Sequence, residues 1–235
     1  MSTNKKITVK RSFFSKHKTK IRIVLILVWL ILAGLTTFYI WKKFFQPQII
    51  TTTVDGVTIT VDETPITQEQ KDEYTVPASY PRYISIPSLN INKARVVQIG
   101  IIKNTNQLDS PISIHDAGWY TASAKPGVDA GAILMDGHNG GPNYGGIFEK
   151  LGNLAVGEKI IIERGDGEIF TYKVRDNRQM KLSEINDPSN KYGMSTMLES
   201  IESGKEGLNI ITCVGNWIQD SQTFDSRVML RAVRV

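Results

Sequence analysis

Cys213 is the only cysteine in a chain of 235 residues. It closes a strand-like run, Leu208-Asn-Ile-Ile-Thr-Cys213, and fourteen residues later Arg227 opens another. His138 follows a third run, Gly131-Ala-Ile-Leu-Met-Asp136. A thiol attacks as its thiolate, so a catalytic cysteine needs a base or a cationic neighbour. Acyl transfer also needs a group facing the developing oxyanion. An imidazole gives and takes protons near neutrality, and a guanidinium offers a permanently charged planar fork. Of the three histidines, His17 falls in the basic N-terminal segment, which leaves His115 and His138. His138 precedes Asn139-Gly-Gly-Pro-Asn-Tyr-Gly-Gly146, a loop that leaves room beside an imidazole. Taken singly, each residue has a plainer explanation: a small buried hydrophobe, a hydrogen-bonded histidine, a solvated arginine. If the strands of Cys213 and Arg227 are neighbours, the 13 intervening residues form their connecting loop and both side chains face one cleft.

The elements that must carry these residues begin with an anchor. Ile23 to Trp41 is 19 residues without a charge, about 28 Å as a helix and close to the thickness of a bilayer's hydrocarbon core. Residues 1–22 hold eight Lys or Arg and no acid, so this segment is expected to be a cytoplasmic basic tail and 23–41 a transmembrane helix exporting the rest. A cleaved signal peptide has a shorter apolar region and a small-residue cleavage site, which Trp41-Lys-Lys-Phe-Phe45 does not offer. The net charge of +5 reflects this topology: ten of the 28 basic groups lie in residues 1–43, leaving 18 against 23 acidic ones. The exported part is mildly acidic and gives no support to nucleic-acid binding.

Residues 42–79 read as an extracytoplasmic stalk. Asp55-Gly56 between alternating apolar and Thr positions is a hairpin signal. Thr67-Gln-Glu-Gln70 resembles a capping box for a short helix reaching about Tyr74. An extended stalk and an ordered, docked one both fit. Residues 80–235 suffice for one domain with a real core. Short strands dominate it, including Tyr83–Ile86, Ala94–Ile102, Lys159–Glu163 and Glu168–Val174. Helical signals are confined to Ile147–Leu151 and Tyr192–Ser200. Seven or eight short strands predict a mainly β sandwich or closed barrel. Glu163, Asp166 and Glu168 allow a calcium site without supporting one, and Asp136 with His138 lacks a third metal ligand, so no cofactor is expected.

Ile210-Ile-Thr-Cys213 resembles the TLxTC signature of sortases, with Ile where Leu is usual. Ala132-Ile-Leu-Met-Asp-Gly-His138 resembles the segment leading to that family's catalytic His, and Ser226-Arg-Val-Met-Leu-Arg-Ala232 the strand of its catalytic Arg. Arg82–Pro87, Gly118–Tyr120, Phe148–Leu151 and Gly157–Ile160 agree in order, so the resemblance covers about residues 80 to 235. It implies an eight-stranded closed β-barrel with a few short helices. It also implies a cysteine transpeptidase that cuts an LPXTG-like sorting signal and joins its carbonyl to an amine on a peptidoglycan precursor or a pilin lysine. By position Cys213 is then the nucleophile, His138 the acid and base, and Arg227 the oxyanion partner, while Thr212 helps position substrate. The family's thiolate–imidazolium pair is a minority state. Asn177–Gly207 and Val214–Ser226 are expected to rim the groove, with Trp217 either packing on substrate or anchoring its loop. The loop after Cys213 resembles those of the D, E or F groupings. Two other readings stay open: another thiol acyltransferase or hydrolase, and an inactive envelope binding module with this fold.

Overall fold

The computed structural model describes residues 13–44, 46–54, 57–219 and 223–235. Helix α1 (Phe13–Phe44) belongs to a unit of its own. Its stretch Lys20–Lys43 is long and apolar enough to cross a membrane, about 36 Å at 1.5 Å per residue. Leu25, Trp29, Leu32 and Phe38 are all exposed, a pattern that suits hydrocarbon better than water.

Residues 47–235 form the second unit. Its eight long-range strands are β3 (Pro81–Ile86), β4 (Ile91–Ile99), β5 (Ala117–Tyr120), β6 (Ala132–Asp136), β7 (Lys159–Arg164), β8 (Ile169–Lys181), β9 (Gly207–Ile218) and β10 (Thr223–Arg234). They close in the order β10-β8-β7-β3-β4-β5-β6-β9, with β9 pairing back onto β10. The mainly β, eight-stranded closed barrel implied by the resemblance is the fold the chain adopts. The pairs β4–β5 and β6–β9 are parallel; the others are antiparallel.

Side chains alternate between the two faces of a strand, and the chain fills both. Ile84, Trp119, Ile133, Ile160, Leu208 and Leu230 are buried in the barrel interior. Leu134, Ile211 and Met229 carry the opposite parity and pack outside it with Met180, Ile185 and Met197. That outer cluster is covered by the long connection from β8 to β9, which holds helix α3 (Leu182–Ile185) and a 3₁₀ turn at Met194–Thr196. The helices expected at Ile147–Leu151 and Tyr192–Ser200 do not form. Single 3₁₀ turns stand at Leu151–Asn153 and Met194–Thr196 instead. Gly146 and Gly152 bracket the first stretch and Gly193 sits inside the second, and so short a segment cannot offset both nucleation and a glycine. Residues 214–226 also differ from a simple loop. The β9–β10 ladder continues into their described part, pairing Trp217 with Phe224 and Ile218 with Thr223.

The segment ahead of the barrel is ordered. Strands β1 (Ile49–Val54) and β2 (Val57–Asp62) pair antiparallel, with Thr51 facing Thr60 and Thr53 facing Thr58. The Asp55-Gly56 turn lies outside the described residues. Helix α2 (Gln68–Asp72) starts in a reciprocal capping box: Thr67 Oγ1 accepts from Gln70 N, and Gln70 Oε1 from Thr67 N. The arm is stitched to the β4–β5 loop, since Asp62 N donates to Ile112 O at 2.8 Å and Ile114 N to Asp62 O at 3.0 Å. An isolated hairpin of this length is marginal in water, so these contacts explain why it holds.

Candidate active site

Cys213 and Arg227 are direct partners across the β9–β10 ladder. Cys213 shares parity with Ile211, and Arg227 with Met229, so both project from the outer face of the barrel at the end of the outer cluster. On the other side β6 runs parallel to β9, and its last register pair is Asp136 with Ile211. One residue further, the buried Thr212 hydroxyl donates to the Gly137 carbonyl at 2.7 Å. His138 follows directly, and the same register continued past the end of β6 would set it level with Cys213. Three residues read from distant stretches of the chain thus fall on adjacent strands, where β6 ends beside the middle of β9 and β10.

The segment leaving β6 is held from several sides. His138 Nε2 lies 2.7 Å from Pro111 O. A carbonyl only accepts, so Nε2 carries the hydrogen and Nδ1 is left to take a proton. The His138 carbonyl accepts from Phe148 N at 3.0 Å. A Cβ at Gly146 would stand 2.3 Å from that carbonyl, so the loop closes on His138 only because glycine occupies that position. Glu63, fully buried, clasps the same loop from the arm. Its carboxylate accepts from Asn143 N at 2.7 Å, Tyr144 N at 3.1 Å, Asn143 Nδ2 at 3.0 Å and Gln48 N at 3.0 Å. Burial pushes this carboxyl up, but the hydrogen bonds prevail and hold it below the ordinary range. Replacing Glu63 with Ala strands several donors. We expect a cost of about 2 kcal/mol, which thermal unfolding should read as a Tm lower by roughly 4–8 °C. Hydrogen exchange at Asn143 and Tyr144 should accelerate with it; unchanged exchange there would remove the clasp from the account.

Arg227 is aimed by a bulge. The β9–β10 register shifts between Phe224 and Ser226, and Gly215 opposite has φ +93°, where a Cβ would meet Asp225 Oδ1 at 2.2 Å. Asp225 fills that space, accepting from Asn216 N, Ser226 Oγ and Lys181 Nζ. The bulge turns two carbonyls inward, and Arg227 Nη1 donates to Phe224 O and Ser226 O at 2.9 Å each. Nη2 donates to Thr223 Oγ1 at 2.8 Å. Bulges commonly re-aim a side chain beside a site. Among the described residues, three of the five guanidinium N–H groups are spent this way, leaving two for a ligand.

The charges favour a neutral resting pair. Burial pushes the Cys213 thiol up to about 11; Arg227 pulls it down and Asp136 pushes it further up. Burial also holds His138 below its ordinary value, against the bond to Pro111. The proton therefore rests on sulfur. A cavity of about 210 Å³ opens beside Cys213, lined among others by Glu149, Asn153, Asn177 and Gln179.

The other residues singled out by sequence are placed elsewhere. Thr212 is buried with its hydroxyl committed to Gly137, so it ties the Cys213 strand to the His138 segment. Trp217 is half exposed near the hairpin tip, edge-on to Phe224 at 5.2 Å, four residues or about 13 Å of strand beyond Cys213. His115 Nε2 bonds the Glu63 carbonyl at 3.1 Å and lines a different cavity. Glu163 pairs with Lys93, and Asp166 and Glu168 with Arg164. Sequence reasoning missed Glu63, Ser110 and Pro111, whose partners lie 26 or more residues away with nothing local to mark them, and Asp225, whose role depends on a bulge that reads as a turn.

A closed barrel with a thiol and an arginine paired across β9 and β10, and an imidazole just past the end of the adjoining β6, defines a cysteine-centred β-barrel class. The sortase domain model matches residues 84–235. The chain belongs to the sortase family, which implies a cysteine transpeptidase. Among solved structures it is similar to sortase A from Corynebacterium diphtheriae, at 19% identity and TM-score 0.49, covering 72% of this chain and 69% of that one. It is similar to Streptococcus pneumoniae sortase C at 14% identity and TM-score 0.47, covering 84% of both chains. Sortase C-1 from Actinomyces oris is 16% identical with TM-score 0.45, covering 65% of this chain and 72% of that one. No curated protein sequence matches the chain.

Proposed function

We propose that the protein is a membrane-anchored transpeptidase that cleaves an LPXTG-like sorting signal and transfers the freed acyl group to an amine on a cell-wall precursor or a pilin. The reading rests on one observation above the others: Cys213 stands directly opposite Arg227 across the β9–β10 ladder, and His138 follows two residues after the end of β6, the strand that flanks β9 on its other edge. The Cys213 proton passes to His138 as sulfur attacks the scissile carbonyl. Arg227 donates to the tetrahedral oxyanion with its remaining N–H groups. The C–N bond breaks as imidazolium protonates the leaving amine, and a thioester remains on sulfur. The acceptor amine then attacks, His138 takes its proton, and the thiolate leaves and is reprotonated. Helix α1 holds the enzyme in the membrane, with the basic residues preceding it on the cytoplasmic side and the barrel outside.

The test incubates the full-length protein in detergent with a library of peptides bearing LPXTG-like pentapeptides and a triglycine acceptor. Mass spectrometry should find a ligated product and a matching C-terminal fragment. Alkylating the single cysteine beforehand should abolish both. Failure to cleave any peptide overturns the reading, and cleavage without ligation reassigns the protein as a thiol hydrolase.

A further inference from the structure

Asp136 is a buried titratable group at the site that the reaction above does not use. It is 9% exposed and ends β6, with the parity of Leu134 and therefore on the outer face. Its partner in register is Ile211. The next residue of β9 on that face is Cys213, and Arg227 lies opposite it. With strands about 4.8 Å apart and two residues spanning about 6.6 Å, Asp136 and Cys213 are about 8 Å apart along the diagonal, within range of a charge interaction in a site shielded from water. The carboxyl is fixed from a third element, because Ser110 in the β4–β5 loop donates its hydroxyl to Oδ2 at 2.5 Å.

We propose that Asp136 is a positioning residue for the reactive pair: held by Ser110, its carboxyl faces Cys213 and Arg227 from the adjoining strand and sets how far the thiol ionises. The charged groups that reach it are Arg227 from β10 and Asp109 from the β4–β5 loop, with Cys213 on β9 and the Gly137 N–H on its own segment. Burial pushes the carboxyl up to about 7 against the pull of Ser110 and Arg227, so both forms exist near neutrality. Ionised Asp136 draws on the positive charge of Arg227 and repels a thiolate at Cys213. Protonated Asp136 releases Arg227 to the thiolate and to the oxyanion that follows. The ionised form thus keeps an exposed-side thiol quiet between turnovers.

The proposal rests on reading Cys213 as the nucleophile, but a thiol's titration is measured without any substrate. Full-length protein in detergent is alkylated with iodoacetamide between about pH 6 and pH 10, and the rate at the single cysteine follows its thiolate fraction. Asp136→Asn keeps an oxygen for the Ser110 hydroxyl and removes the charge. Its profile should shift to lower pH by about one unit, roughly a tenfold faster reaction at pH 8. Ser110→Ala removes a bond that favours the ionised carboxyl. It should shift the profile the same way by less, and add nothing in the Asp136→Asn background. Superimposable profiles, or a shift to higher pH in Asp136→Asn, would overturn the proposal. Should Asp136→Asn fail to fold, an unshifted profile in Ser110→Ala overturns it alone. Transpeptidation is scored separately, so an inactive wild type with shifted profiles defeats the functional reading and leaves this one standing.

Discussion

Arg227→Lys is expected to lower kcat by roughly 10²–10³, the usual cost of losing one oxyanion donor, while the barrel stays folded. The substitution keeps a positive charge but loses the planar fork. Three of the Arg227 N–H groups are committed to the bulge carbonyls of Phe224 and Ser226 and to Thr223. They hold the guanidinium rigid at no cost during the reaction. A lysine ammonium has three donors on a flexible stem. If it satisfies the bulge it has little left for the oxyanion, and if it serves the oxyanion the bulge carbonyls lose their partner. Either way the interaction made only in the transition state suffers, so kcat falls more than KM rises. Arg227 also lowers the Cys213 thiol from across the ladder, and lysine preserves part of that effect. Alkylation of Cys213 should therefore change far less than turnover. A loss below about threefold in kcat, against the 10²–10³ expected for an oxyanion donor, would move Arg227 out of the chemistry.

The strands of the site were legible because each depends on local pattern. Barrel closure came from the family resemblance, and the pairing of Cys213 with Arg227 stood only as a condition that the β9–β10 ladder meets. Leu208 to Cys213 alternates between Leu208 and Ile210 facing in and Ile211 facing out, and a period of two is visible in any short window. Ile133 and Leu134 likewise split between the two clusters. The reciprocal bonds of Thr67 and Gln70 are local in the same sense, three residues apart. What escaped was every contact made between irregular segments. Glu63 reaches Asn143 across 80 residues, and Ser110 reaches Asp136 across 26. Neither interval carries a periodicity. The continuation of β9 and β10 past the reactive pair was missed for a different reason. Gly215, Asn216 and Asp225 read as turn residues, yet they form a bulge inside a ladder that resumes at Trp217 and Phe224. The bulge is also what aims Arg227, so the interruption that hid the strand is itself part of the site.

His138→Ala is expected to cut kcat by roughly 10²–10⁴, the range for a positioned acid–base group, and His115→Ala to leave it within about threefold. The contrast follows from where the two rings sit. His115 makes one bond to the Glu63 carbonyl, and losing a single hydrogen bond costs about 0.5–1.5 kcal/mol of stability without touching a reacting atom. His138 lies two residues past Asp136, the last β6 residue paired with the Cys213 strand, its Nε2 proton fixed on Pro111 O and its Nδ1 without a protein partner among the described residues. With the thiol pushed up to about 11 and the imidazole held low by burial, sulfur does not ionise unaided at neutral pH. A base must take its proton as the carbonyl is attacked, and that same proton must reach the leaving amine. Removing the ring blocks both steps of acylation and the deprotonation of the acceptor. Kinetics on a sorting peptide with each single variant would decide the matter. Loss of turnover in His115→Ala with activity retained in His138→Ala would place the acid–base group at His115, in a cavity that does not include Cys213, and undo the placement on which the mechanism depends. If His138 alone matters, the low pKa imposed by its burial becomes useful. The ring rests neutral, ready to accept the thiol's proton, and its imidazolium is acidic enough to surrender that proton to a departing amine.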